Sequence, residues 1–173
     1  GGRAALAAFR FGLVAGGCKI AVYDRGLISA AGGNATRLVR GLILTKWLSL
    51  RGAFDQAGFG CPLGEERTGP SGRRVQDFQG GRIYLVAANA AVQAVIVPAV
   101  FVDAIEKRGG ETATGVPIAD PVSAPSDQDR TWLFQRFNRP SRPDLLPSTL
   151  EIRGTPPVLW IERQSGDLTV ETR

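Results

Sequence analysis

An internal duplication constrains this chain more than any single motif does. The stretch VRGLILTKWLSLRG (39–52) returns further along as IVPAVFVDAIEKRG (96–109). In the first, Val39, Leu42, Ile43, Trp47 and Leu50 recur at helical spacing, and in the second Val97, Val100, Phe101, Ala104 and Ile105 do so. Both stretches therefore read as amphipathic helices with one face in a core. Each ends in Arg-Gly, which suits a helix C-cap with a left-handed glycine just past the last turn. Pro98 stands where a first-turn proline is tolerated.

The duplication continues downstream. Gly60-Cys61-Pro62 follows the first helix and Gly115-Val116-Pro117 the second, so the prolines keep nearly the same offset as the helices. An acid stands at the same place after each proline, Glu65 in one copy and Asp120 in the other. Polar loops rich in Pro, Gly and Ser then lead into strand-like runs ending at Phe78 and Phe137, again close to the same offset. In the first copy, GGRIYLVAA (80–88) supplies a Gly-Gly turn and a second strand, a hairpin signal. GGCKIAVY (16–23) reads as the same Gly-Gly-strand element one unit earlier.

The expected fold is α+β, built from tandem repeats of roughly 57 residues, the offset between positions 39 and 96. Each repeat is a β-hairpin plus helix plus Gly-x-Pro loop, packed as an array or a pseudo-symmetric ring. A hairpin and one helix cannot bury both faces of the hairpin, so neighbouring units must complete each other's cores. The expected divisions are a partial first repeat (1–52), a central repeat (53–109), the start of a second (110–139) and a divergent C-terminal hairpin or cap (140–173). In the last, VLWIERQSGDLTVETR reads as a hairpin around Ser165-Gly166-Asp167.

Composition narrows the chemistry. The chain has no histidine, so Ser-His-Asp and Cys-His catalysis, and any zinc site with a histidine ligand, are excluded within it. Two cysteines cannot make an all-cysteine tetrahedral site, and neither a metal nor a cofactor is expected. At 43% hydrophobic and 21% charged the chain can bury a core, and no run approaches the ~18 apolar residues of a membrane span. Its charge of +5 comes from dispersed arginines, with small clusters at Arg73-Arg74 and from Arg136 to Arg142. Without a recognition motif, that balance reads as a solvated surface, not a nucleic-acid interface. Cys18 and Cys61 fit one bridge or two buried thiols, and the count leaves both open. The Ala-rich start, which lacks an initiating Met, reads as the beginning of a mature or trimmed chain, or of a fragment.

Asp103 and Glu106 lie at i, i+3 on a helix, and Glu65-Glu66 sit together in a loop. Paired carboxylates can act as acid and base in glycoside hydrolysis, but the plainer reading is a solvated helix face and an acid that stabilises a turn. Trp47 falls in line with an apolar stripe and reads as core. Trp132 and Trp160 border alternating strand runs, and Tyr84 lies beside Arg82; all three are candidates for stacking on a sugar ring. Gly16-Gly17 and Gly80-Gly81 lack the spacing that cradles phosphate and read as turns.

FGCPLGEE (59–66) and TGVPIADP (114–121) resemble the core of the LGFP repeat of mycobacterial and corynebacterial envelope proteins, and FQGGRIY (78–84) resembles its downstream aromatic-Gly-Gly segment. The resemblance covers about residues 16–137. Cys61 and Val116 replace the motif phenylalanine, and Pro121 replaces an acid. The resemblance implies a non-catalytic, exported module that tethers to cell-wall polysaccharide or peptidoglycan, beside a linked envelope enzyme domain or by self-association. It assigns no catalytic residue, and it makes Gly60, Pro62, Gly80, Gly81, Gly115, Pro117 and Asp120 structural. Export favours a Cys18–Cys61 disulfide. A ligand is expected along the polar loops between repeats, at Glu65, Arg67, Arg73, Arg74 and Arg82, with Tyr84 and Trp132 as aromatic contacts. Two alternatives remain. One is a small carboxylate-dependent hydrolase of wall polysaccharide, which needs two carboxyl groups roughly 5–9.5 Å apart. The other is a self-assembling extracellular subunit.

Overall fold

The computed structural model describes residues 9–14, 18–23, 26–30, 36–50, 59–88, 90–125, 131–138, 148–152, 159–162 and 168–171. Strands β1 (Phe9–Val14), β2 (Cys18–Tyr23), β3 (Gly26–Ala30) and β4 (Thr36–Val39) form a sheet in sequential order and lead into helix α1 (Gly41–Ser49). The same order returns in β5 (Arg67–Thr68), β6 (Arg74–Phe78), β7 (Gly81–Ala88) and β8 (Ala91–Pro98), which lead into α2 (Ala99–Lys107) and the single turn α3 (Glu111–Thr114). A third sheet follows from β9 (Val116–Pro117), β10 (Val122–Pro125), β11 (Thr131–Asn138) and β12 (Ser148–Ile152). In it β11 lies between β10 and β12 and pairs at its far end with β9. A last hairpin joins β13 (Leu159–Glu162) to β14 (Leu168–Glu171). The chain is mixed, mostly sheet with helices appended, in keeping with an α+β class.

The β7–β8 hairpin is apolar on both alternations, so both of its faces must be covered. Ile83 and Leu85 of β7, with Ala94 and Ile96 of β8, face Ile43 and Trp47 of α1, together with Cys18, Val39, Phe59 and Cys61. Tyr84, Val86, Val95 and Val97 point the other way, onto Phe101, Ala104 and Ile105 of α2 and Phe137 of β11. Each buried aliphatic or aromatic side chain contributes on the order of 1.5–3 kcal/mol. Trp47 adds direction, because its indole N–H donates to the Gly60 carbonyl at 2.9 Å and its ring tilts against Phe78 at 5.5 Å. Gly60, at φ 71, holds a left-handed conformation that a side chain would strain.

One polar device ties a sheet to the next, and it occurs twice. Pro62 bridges Phe78, and Pro117 pairs with Phe137. Each phenylalanine is preceded, on the same face of its strand, by a buried glutamine. Gln76 donates to the carbonyls of Gly64 (2.9 Å) and Leu38 (3.0 Å). Gln135 donates to those of Ala119 (3.0 Å) and Ile96 (2.5 Å). The acid of each Gly-x-Pro loop accepts the amide of that same strand residue: Glu65 from Leu38 at 3.3 Å, Asp120 from Ile96 at 2.9 Å. Both backbone groups of one strand residue are thereby satisfied, the amide by the acid of the following loop and the carbonyl by the glutamine of the following strand, a requirement for backbone removed from water. Asp120 also pairs with Lys46 of α1.

These contacts explain where the sequence reading needs correcting. Val39 ends β4, and Val97 and Pro98 end β8, so the helices begin later than the apolar pattern suggests. Leu42 and Val100 fall outside the buried stripe, at 45% and 40% exposed. The preceding backbone stays extended because the clamp engages it as a strand. β2 holds the place of β6, not of β7, since its partner β3 begins at Gly26 as β7 begins at Gly81. Helix α3 is an element the sequence pattern missed. Gly109, at φ 95, does occupy the position past the end of α2, while Gly16-Gly17, Gly52 and the Ser165-Gly166-Asp167 turn lie outside the described residues. Cys18 and Cys61 form a disulfide with Cα atoms 5.6 Å apart.

A fragment from Phe59 to Thr114 keeps β5–β8, α2 and α3 but loses α1, Cys18 and Val39, which uncovers one face of the central hairpin. It is expected to unfold in urea without a cooperative transition and to bind a hydrophobic dye, while the intact chain unfolds cooperatively. Circular dichroism and dye fluorescence check this.

Candidate functional site

The hairpin face that carries α2 also carries a line of charge. Asp77 of β6 and Arg82 of β7 are directly opposed in register, the cross-strand arrangement that favours unlike charges. Arg82 Nε donates to Asp77 Oδ1 and its Nη1 to Glu106 Oε1, each at 2.6 Å. Arg67 of β5 donates to Asp77 Oδ2 from Nη2 at 2.9 Å. The result is a continuous chain, Arg67–Asp77–Arg82–Glu106. Burial works against the Arg82 charge, but its bonds to Glu106, Tyr84 and Asp77 more than offset this, so its pKa is raised and the guanidinium stays protonated.

Beyond Glu106 the chain turns through Gly109 and Gly110, at φ 95 and 72, and delivers Glu111 at the start of α3. Glu111 is only 4% exposed. Its carboxylate accepts the Tyr84 hydroxyl (2.9 Å), the Ser71 hydroxyl (2.8 Å) and the Ser71 amide (3.3 Å). A Cβ at Gly69 would sit 3.0 Å from both carboxylate oxygens, a contact tight enough that the carboxylate would have to shift to admit a side chain there. Burial first, and the Glu111 charge second, push the Tyr84 phenol well above its ordinary range.

A cavity of about 480 Å³ opens between these elements, lined by Arg67, Arg82, Glu106, Gly110, Glu111 and Thr112 among others. Its size falls in the range of small-ligand sites, and its wall is mostly polar. Glu106 is held by Arg82, and Glu111 already accepts three hydrogen bonds. Such engaged carboxylates suit recognition of a polar ligand better than proton transfer, which needs an acid or base free to move a proton. Among the described residues no group of three or more His, Cys, Asp or Glu side chains could hold a metal ion.

The residues expected to converge divide between two places. Arg67 and Arg82 line the cavity. Tyr84 lies beneath it at 1% exposed, which corrects its reading as a stacking platform: its ring belongs to the core and its hydroxyl to Glu111. Glu65 takes the Leu38 amide, as an acid stabilising a turn should. Arg74 pairs with Glu66 at 3.0 Å, and Glu66 also reaches Arg40 at 3.4 Å. The Arg73 side chain makes no hydrogen bond or ion pair among the described residues. Trp132 stands on β11 opposite Ala124 and Trp160 on β13 opposite Val170; their side chains lie outside the described residues. Asp103 stays exposed on α2, while Glu106 is committed to Arg82. Sequence reasoning missed Asp77, Ser71, Glu111 and Thr112. For Asp77 a signal existed, since the Gly-Gly turn sets it opposite Arg82. For Glu111 there was none, because its burial depends on a loop 40 residues away.

Tyr84→Phe removes one donor from a buried carboxylate and should lower stability by about 1–3 kcal/mol in urea unfolding. The pH dependence follows from the raised phenol. Below about pH 10 the phenol is protonated in both folded and unfolded chains, and above it the unfolded chain alone loses the proton. Wild-type stability should therefore fall as pH rises beyond about 10, and more steeply than that of the variant.

No curated protein matches the chain. Residues 59–112 match the family model described as LGFP repeat. That segment begins at the Gly-x-Pro loop, contains β5 to β8 and α2, and holds every lining residue named for the cavity. The chain carries an LGFP repeat at residues 59–112.

Proposed function

We propose that this chain is a non-catalytic, exported module that binds cell-wall polysaccharide or peptidoglycan, with the LGFP repeat as the central unit of a tandem array. The observation that carries the binding reading is the polar cavity, walled by hydrogen-bonding groups and contained within the repeat. The doubled clamp supports the array: a Gly-x-Pro acid and a strand glutamine hold one residue of the preceding strand at Leu38 and again at Ile96. A disulfide between Cys18 and Cys61 fits an oxidising compartment. Against a carboxylate-dependent hydrolase stands the engagement of both cavity glutamates. Among the described residues no helix is long and apolar enough to cross a membrane.

Retention of the purified chain on insoluble peptidoglycan, arabinogalactan-peptidoglycan and cellulose, each at low and high salt, tests the reading. Selective retention on a wall fraction that survives high salt is expected. Binding that disappears with salt would reduce to the net charge of +5, and absence of retention would overturn the proposal.

A further inference from the structure

The cavity's charge is nearly balanced, and this limits what it can accept. Two guanidinium groups, Arg67 and Arg82, stand in the lining against two carboxylates, Glu106 and Glu111, and both arginines are also paired with Asp77, which is not part of the lining. An anion entering here meets no net positive charge in the lining, and it reaches Arg82 only by displacing bonds of 2.6 Å to Asp77 and Glu106. A cation meets two guanidinium groups in the wall. The groups left to a ligand are of both hydrogen-bonding kinds. Glu106 Oε2 accepts no hydrogen bond from the described residues and faces Gly110, where an added Cβ would lie 3.7 Å from it. Arg67 Nη1 and the Thr112 hydroxyl are donors that no described residue engages. An acceptor beside donors is what a pair of neighbouring hydroxyl groups requires, since each hydroxyl donates one hydrogen and accepts others.

We infer that this cavity takes an uncharged, hydroxyl-rich ring, a neutral sugar unit, in preference to an anionic or cationic one. The inference rests on the wall-binding reading above and specifies its ligand. Arg67 and Thr112 donate to ring hydroxyls, Glu106 accepts from one, and the salt-bridged arginines act as oriented donors whose charge is already neutralised.

Matched rings of different charge test it on the intact chain. Nuclear magnetic resonance would follow the Arg67 and Arg82 Nε–H signals and the Thr112 amide during titration at about pH 6. The probes are glucosamine (cationic), N-acetylglucosamine and methyl β-galactoside (neutral), and N-acetylmuramic acid (anionic). At least one neutral ring should shift all three signals and bind about five-fold or more tightly than either charged one, a discrimination of about 1 kcal/mol. Glu106 is 53% exposed at its side chain, so Glu106→Gln should fold normally; it should weaken the neutral ring and narrow its advantage over N-acetylmuramic acid. Equal or tighter binding of a charged ring, or no shift with any of the four, would overturn the inference. Wall retention separates the two readings: a chain retained on wall but unmoved by neutral rings loses this ligand assignment and keeps its wall binding, whereas loss of both overturns both.

Discussion

The structure depends on a hairpin that must be covered on both faces. Because β7 and β8 are apolar on both alternations, the repeat needs two covers, and the chain supplies them from opposite directions in sequence. Helix α2 follows the hairpin directly and covers one side. Helix α1 precedes the Gly-x-Pro loop and covers the other, from outside the segment that matches the LGFP repeat. The unit of sequence similarity is therefore not the unit of packing. A stable core needs the helix that comes before the repeat as well as the one within it, and the clamp at Leu38 fixes the register in which the two meet.

The cavity inherits its geometry from this packing. Phe101, Ala104 and Ile105 seat α2 on the sheet, and that seat sets Glu106 over Arg82. Gly109 and Gly110 then reverse the chain, so that Glu111 returns to the hairpin and meets Tyr84 from the side. Tyr84 belongs to both systems, its ring in the core and its hydroxyl on the carboxylate. Disturbing the core on this face therefore moves the cavity wall with it, because β7 and α2 each carry residues of both.

Much of this is legible in the sequence. The duplicated helices, the Gly-x-Pro loops, the strands ending at Phe78 and Phe137 and the hairpin after Gly80-Gly81 follow from local periodicity and turn chemistry, which act over a few residues. The apolar pattern misplaces the helix starts because Val39 and Val97 are apolar in either state, and their pairing with Leu27 and Arg82 in the sheets makes them strand ends. The candidate site is half legible for the same reason. Arg67 and Arg82 stand out as charges near a turn, but Ser71 and Glu111, 40 residues apart, meet only after α2 has packed. Tyr84 misleads because an aromatic beside an arginine suggests a surface, while its neighbours Ile83 and Leu85 belong to the opposite face of a sheet buried on both sides.

The two joints between sheets solve one problem with different strengths. At the second joint Asp120 accepts the Ile96 amide at 2.9 Å, pairs with Lys46 and follows the buried Val116 of the same loop. At the first, Glu65 reaches Leu38 through longer, exposed bonds of 3.3 Å, which water competes for more effectively. There the position corresponding to Val116 is Cys61, bonded to Cys18 across 43 residues. Closing a loop of that length restricts the unfolded chain by about 4 kcal/mol in the chain-entropy account, more than one exposed hydrogen bond contributes. One of the two residues that replace the motif phenylalanine thus sits at the joint whose polar clamp is weaker, and a covalent bond supplies what the acid there does not.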